Sequence, residues 1–196
     1  VGRLVLGPIG VAITVLGAIA GVAAPPAITH EVPLVQAHLG IAQGLYFIER
    51  AGRLGIVAEV QPFHTSDDMR WMEERIGHDR SRGAYAFRRL WDAGAVVSFG
   101  SDSPGTNASR YYLNPMLGLY AAVTRMTLSG QPEGGWFPRE RLTIEEAIRA
   151  YTLNTAYAGY EEQIKGSITV GKLADFVVLS DDLLTIDPRK IRDVEV

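Results

Sequence analysis

Ala95-Val96-Val97-Ser98-Phe99-Gly100-Ser101-Asp102-Ser103-Pro104 is the stretch that decides the fold. Its first half is small or apolar, with β-branched Val96 and Val97, the make-up of a parallel strand covered on both faces. Gly100 then permits a tight turn and Pro104 fixes the exit, so Asp102 is presented just past the strand's C-terminal end. In parallel α/β folds that end of the strands carries the chemistry. Upstream, Gly55 to Gln61 is a second strand rich in β-branched residues, stopped by Pro62, with His64 just beyond it. A helix over Leu45 to Leu54 precedes this strand and is closed by Gly52 and Gly55. Between the strands, the pattern predicts a polar helix over Asp67 to Arg75 capped by Ser66, then an amphipathic helix over Tyr85 to Trp91 ended at Gly94.

Beyond Asp102, residues Gly100 to Asn114 read as a loop and Pro115 to Thr127 as a helix with proline in its first turn. A second loop spans Ser129 to Arg139. Thr143 and Glu146 form a capping box for a helix reaching about Tyr157. Gly166 to Gly171 and Ala174 to Leu179 read as strands. Alternating helices and apolar strands make this an α/β chain with parallel strands. Two or three such units leave open strand edges, so the sequence reads as part of a larger barrel or sheet, and the isolated chain is expected to self-associate.

The 196 residues are 47% hydrophobic and 21% charged, with a formal net charge of -3, which is ordinary for a globular chain. No basic stripe is present, so no nucleic-acid partner is expected. The chain has no cysteine, which excludes disulfides, thiolate metal ligands and a cysteine nucleophile. From Leu4 to Thr29 there is no charge. Arg3 ahead of the run and Ala23-Ala24-Pro25-Pro26 behind it fit a secretory signal or a membrane contact through residues 4–24. A buried strand and helix of a larger domain fit equally well, and the compartment stays unassigned. Residues 1–43 read as an atypical apolar segment and connector, and the rest of the chain as part of a larger parallel barrel or sheet.

Asp102 is the first candidate for chemistry, since a strand-end carboxylate can ligate a metal and move a proton. By local pattern alone, an Asx turn or a helix cap is the commoner explanation. His64 follows its strand in the same way, flanked by Gln61, and its bland reading is a hydrogen-bonding loop histidine. His38 ends a weak extended stretch over Leu34 to Ala37 and could join the same face, though a partly buried structural histidine is the commoner case. His78 lies in a polar turn and is expected to be exposed. Tyr111, Tyr112, Trp136 and Phe137 either line an apolar pocket or, more commonly, pack loops. Neither a Gly-x-Ser-x-Gly elbow, a Gly-x-Gly-x-x-Gly run nor a P-loop is present.

Together, Val60-Gln61-Pro62-Phe63-His64, Arg82-Gly83-Ala84-Tyr85-Ala86 and Phe99 to Pro104 resemble amidohydrolase family 3. So do Asn114 to Arg125, Leu142 to Ala147 and Gly166 to Phe176, and the resemblance runs from about Gly44 to Val196. It implies a metal-dependent (β/α)8 barrel, present in part over residues 44–160, with a small β-sandwich, present in part over 161–196, and hydrolysis of amide-type C–N bonds in small molecules by metal-activated water. A divalent ion, zinc first, is the implied cofactor, because zinc lowers the pKa of bound water to about 7. Asp102 matches the family's proton-shuttling aspartate and metal ligand. His38 stands near the position of a ligand histidine. His64, Gln61 and Ser101 are implied to be substrate-proximal. The family's opening His-x-His pair is absent, as are the first barrel half and a final sandwich strand, so a truncated hydrolase is expected. The alternative is a non-catalytic barrel remnant serving as a binding or membrane-anchored module.

Overall fold

The computed structural model describes residues 41–102 and 113–196, with side chains from residue 46 onward. Helix α1 (Ile41–Arg53) leads to strand β1 (Val57–Val60). Three short helices follow, α2 (Pro62–Asp68), α3 (Met72–Ile76) and α4 (His78–Ser81), and then α5 (Phe87–Asp92) and strand β2 (Val96–Phe99). Beyond residue 112 come α6 (Pro115–Thr124), α7 (Ile144–Tyr151) and α8 (Leu153–Ala158), with 3-10 turns at Pro138–Glu140 and Pro188–Asp193. The two strands pair in parallel, Val57 beside Val96 through Val60 beside Phe99. The chain is therefore mixed α/β, as its pattern of helices and strands predicts.

The strands divide the molecule into two faces. Ala58, Val60, Val97 and Phe99 are buried against the helices, and the Phe99 ring meets Phe87 of α5 at 5.7 Å and Tyr151 of α7 at 5.2 Å, both edge-on. Val57 and Glu59 alternate to the opposite face and are half-buried. All of Val97, Ser98 and Phe99 are buried, so β2 is covered on both sides as its apolar run predicts.

The outer edge of β2 is covered by α8. Asn154 Nδ2 donates to the Val97 carbonyl at 2.8 Å, and Ser98 Oγ lies 3.2 Å from Thr155 Oγ1. These contacts satisfy edge groups that a bare half-sheet would present to other chains. They depend on a break that the sequence reading did not anticipate. The helix expected to run to Tyr157 stops at Thr152, whose φ of -114° and ψ of -88° turn the chain toward β2. The capping box is present as expected, with Glu146 N–H donating to Thr143 Oγ1 at 3.2 Å and Thr143 N–H to Glu146 Oε2 at 2.7 Å.

Two further expectations are corrected. The polar helix expected over Asp67 to Arg75 instead begins at Pro62 and breaks after Asp68. Ser66 is no cap; it is buried within α2 and donates to the Met126 carbonyl at 2.6 Å. Pro62 ends the strand and also opens the helix, because its missing N–H is not needed in a first turn. Second, Gly166–Gly171 and Ala174–Leu179 form no strands. A strand persists only where a neighbour takes its N–H and C=O groups, and among the described residues none lies alongside. Ile168 and Val170 are 95% and 103% exposed. The chain end does return to the core, with Leu183, Ile191 and Val194 buried and the Arg192 guanidinium 5.2 Å over the Tyr120 ring.

Candidate active site

Parallel pairing places the C-terminal ends of β1 and β2 side by side, and the residues that leave them form the candidate site. Gln61 directly follows β1, is 8% exposed, and accepts the His64 N–H on its carbonyl at 3.2 Å. His64 is thus in the first turn of α2 and not in a loop. Ser101 and Asp102 leave β2 half-buried, and Gly100 N–H donates to the Val60 carbonyl at 3.0 Å, which keeps the two strand exits adjacent. Asp102 has a φ of 56°. Aspartate is among the few side chains that tolerate this left-handed region, and its use here turns the chain sharply off the sheet. His38, Tyr111 and Tyr112 lie outside the described residues, as does the apolar run over residues 4–24.

The surroundings are acidic and partly desolvated. Burial pushes the His64 imidazole below its ordinary value, against the opposing charges of Asp68 and then Asp102, so it is neutral at neutral pH. Burial likewise raises the Asp68 carboxyl, although a hydrogen bond from the Tyr85 hydroxyl and the nearby His64 ring and Arg75 pull the other way. Glu59 is raised by burial as well. A Cβ added to Gly100 would stand 3.1 Å from Glu59 Oε1, which places that carboxylate across the β2 exit.

Three of these groups, Glu59, Asp68 and Tyr85, were not singled out in the sequence as site residues. Asp68 was readable in principle, since it stands four residues from His64 and shares its helical face. Glu59 carried a signal too, as a charge inside a β-branched run. Of the aromatic candidates, Trp136 and Phe137 resolve to the bland reading. Trp136 is buried and donates Nε1–H to Glu73 Oε1 at 2.6 Å, and the Phe137 ring lies tilted against it at 4.7 Å. His78 is exposed, as expected, and pairs with Glu73 at 2.7 Å.

The donors present are of the right chemical kind for zinc or another divalent ion, imidazole nitrogen and carboxylate oxygen. Their arrangement does not complete a site, because no three His, Asp or Glu side chains converge to hold a metal among the described residues. What these residues can do by themselves is hold and transfer protons. Asp102 is a carboxylate at a strand exit, beside a neutral imidazole able to accept a proton or donate a hydrogen bond.

Known proteins supply the context for this arrangement. The model of the amidohydrolase family matches residues 11–196, which reaches further toward the N-terminus than the Gly44 start read from the motifs. The "Putative amidohydrolase YtcJ" of Bacillus subtilis is 36% identical over 149 residues, covering 76% of this chain and 27% of that protein. The N-substituted formamide deformylase of Arthrobacter pascens is 35% identical over 113 residues, covering 57% of this chain and 19% of its own. A metal-dependent hydrolase of Pyrococcus horikoshii is structurally similar, with a TM-score of 0.61 and 26% identity, covering 76% of this chain and 29% of that one. The chain thus spans less than a third of the length of each of these relatives. A family match over nearly its whole length, together with a relative 36% identical over 76% of it, shows that this chain belongs to the amidohydrolase family.

Proposed function

We propose that this chain is the C-terminal part of a metal-dependent hydrolase that cleaves amide-type, non-peptide C–N bonds in small molecules. The observation that carries the reading is that His64 and Asp102 follow the C-terminal ends of two adjacent parallel strands. The pair β1–β2 with its helices is read as two units of a (β/α)8 barrel, whose reacting face is the one that these ends define. In this reading Asp102 takes a proton from the attacking water and passes it to the leaving nitrogen, so that the C–N bond breaks with expulsion of a neutral amine. Gln61, Ser101 and neutral His64 border the substrate. The family's divalent metal, zinc by preference, would activate the water. Its ligands have to include residues outside the described ones, and His38 is among those candidates.

The same geometry favours a second reading on one specific point. No three such donors converge among the described residues, and in the second reading the chain would be a non-catalytic barrel remnant acting as a binding module, as a membrane contact through residues 4–24, or in self-association. One experiment separates the readings. The purified chain and Asp102→Ala are loaded with zinc, analysed for bound metal by mass spectrometry, and assayed for amine release from a panel of N-formyl and N-acyl amines. The hydrolase reading expects bound metal, and a rate lowered about 10²–10⁴-fold in the variant, the usual worth of a positioned acid–base group. Equal rates in both proteins overturn the role of Asp102. A folded chain that holds no metal and releases no amine overturns the hydrolase reading of this chain and leaves the remnant.

A further inference from the structure

Tyr85 occupies an unusual backbone conformation. Its φ is 51°, a left-handed value that is an outlier for a bulky aromatic residue. Such conformations persist only where the surroundings over-determine them, and they gather at functional sites. The surroundings here are specific. Arg125 is fully buried and donates Nη1–H to the Tyr85 carbonyl at 2.8 Å and Nε–H to the Trp136 carbonyl at 2.6 Å. Its guanidinium lies 5.6 Å from the Phe87 ring and 5.4 Å from the Trp136 ring. Arg125 and Phe137 are themselves left-handed, with φ of 54° and 45°. Three left-handed side chains thus belong to one connected cluster, built around a charge that is costly to bury.

The far end of Tyr85 shows what the cluster holds in place. The hydroxyl donates to Asp68 Oδ2. Asp68 is the last residue of α2 and His64 lies one helical turn before it, so both side chains share one face. We propose that Tyr85 is a positioning residue, which holds the Asp68 carboxylate on the helical face that it shares with His64 and so sets the tautomer and ring orientation of that histidine. A carboxylate beside one ring nitrogen keeps the proton on that nitrogen and leaves the other an acceptor. The inference rests on reading this strand end as the reacting face. Removing the hydroxyl leaves the carboxylate free to rotate and the ring free to exchange tautomers.

The test uses the full chain labelled with ¹⁵N-histidine, and side-chain spectra recorded at neutral pH. His64 is assigned by its loss in His64→Gln, and His78, which is bonded to Glu73, serves as the internal reference. In the wild type the two ring nitrogens of His64 are expected to be well separated, as for a single tautomer. Tyr85→Phe and Asp68→Asn are each expected to draw them together while His78 stays in place. Tyr85→Phe keeps the ring and its packing, so the fold is retained, and Asp68→Asn tests the same link from the other side. Unchanged His64 resonances in Tyr85→Phe overturn the proposal, whatever happens to stability. A change in Tyr85→Phe with none in Asp68→Asn overturns it as well. The readout needs neither metal nor turnover, so an absence of amide hydrolysis leaves it intact, and unchanged resonances leave the role of Asp102 intact.

Discussion

Gly118→Ala should destabilise the chain, although it removes a glycine from the interior of a helix. Alone, the exchange favours the helix by about 1 kcal/mol. The position decides otherwise. Gly118 sits in α6, and a Cβ built there would lie 1.9 Å from the Tyr151 hydroxyl oxygen, 2.9 Å from Tyr151 Cζ and 3.1 Å from Pro62 Cγ. The first distance is roughly 1.6 Å inside the ~3.5 Å at which non-bonded heavy atoms attract best. Tyr151 is held too, because its ring lies edge-on to Phe99 at 5.2 Å and its hydroxyl is buried deeply enough to be pushed well above its ordinary value. Neither neighbour gives way freely. Pro62 opens the helix that carries His64, and Phe99 is the last residue of the strand that leads to Asp102.

Overpacking typically costs about 1–3 kcal/mol, and a contact of 1.9 Å with a held ring belongs in the upper part of that range, at about 2–3 kcal/mol. Set against the helical gain, a net loss of about 1–2 kcal/mol is expected from chemical denaturation followed by tryptophan fluorescence. The decisive measurement is the double variant with Tyr151→Phe, which deletes the atom at 1.9 Å and leaves Cζ as the nearest part of the ring. In that background Gly118→Ala should cost less than about half as much, since directly contacting sites couple by roughly 0.5–3 kcal/mol. A single variant as stable as the wild type, or a penalty undiminished by Tyr151→Phe, would refute the reasoning.

Two other substitutions probe the frame around the site. Gly52→Ala in α1 would set a Cβ 1.7 Å from the Ala93 carbonyl oxygen and 2.4 Å from its carbon, a backbone obstacle that cannot rotate away. It should lower stability by more than about 2 kcal/mol, and an unchanged denaturation midpoint would show that α1 does not pack there. Glu146 ties the Thr143 cap to Arg88 of α5, with Arg88 Nη1 donating at 2.9 Å. Burial would raise its carboxyl, but the hydrogen bonds from Arg88 and Thr143 outweigh that and hold it below its ordinary 4.5. A lowered carboxylate contributes stability above pH 4.5 and loses it as pH falls through the depressed folded value. The stability gap between wild type and Glu146→Gln should therefore be full at neutral pH and close in acid. A gap independent of pH would place the contribution elsewhere.

The parts of the fold that were legible are those decided by local chemistry. The runs around Val57 and Val96 form strands because their apolar, β-branched make-up suits no solvent-facing conformation. Thr143 caps α7 because its hydroxyl and the Glu146 carboxylate need only each other's backbone. Pro62 shows the limit of such reading. A proline that stops a strand and a proline that starts a helix look the same in sequence, so the helix was expected only from Asp67, whereas it begins at Pro62 and carries His64. The segments from Gly166 to Leu179 show the same limit from the other side. Their side chains suit strands, but strand formation is a property of two chains of backbone, and no partner lies beside them among the described residues.

The candidate site divides along the same line. Asp102, Gln61 and His64 were accessible because a strand end and a residue type are both written locally. The Tyr85 hydroxyl on Asp68 was not, because it depends on a buried Arg125 reaching across 40 residues to a carbonyl. Glu59 over Gly100 depends on strand register, which the sequence does not state. The residues that a motif names are those that react or bind, whereas the residues that aim them are chosen by packing and can come from anywhere along the chain. A single strained tyrosine held by a buried charge is the kind of feature through which such aiming becomes visible, and it becomes visible only once the fold is known.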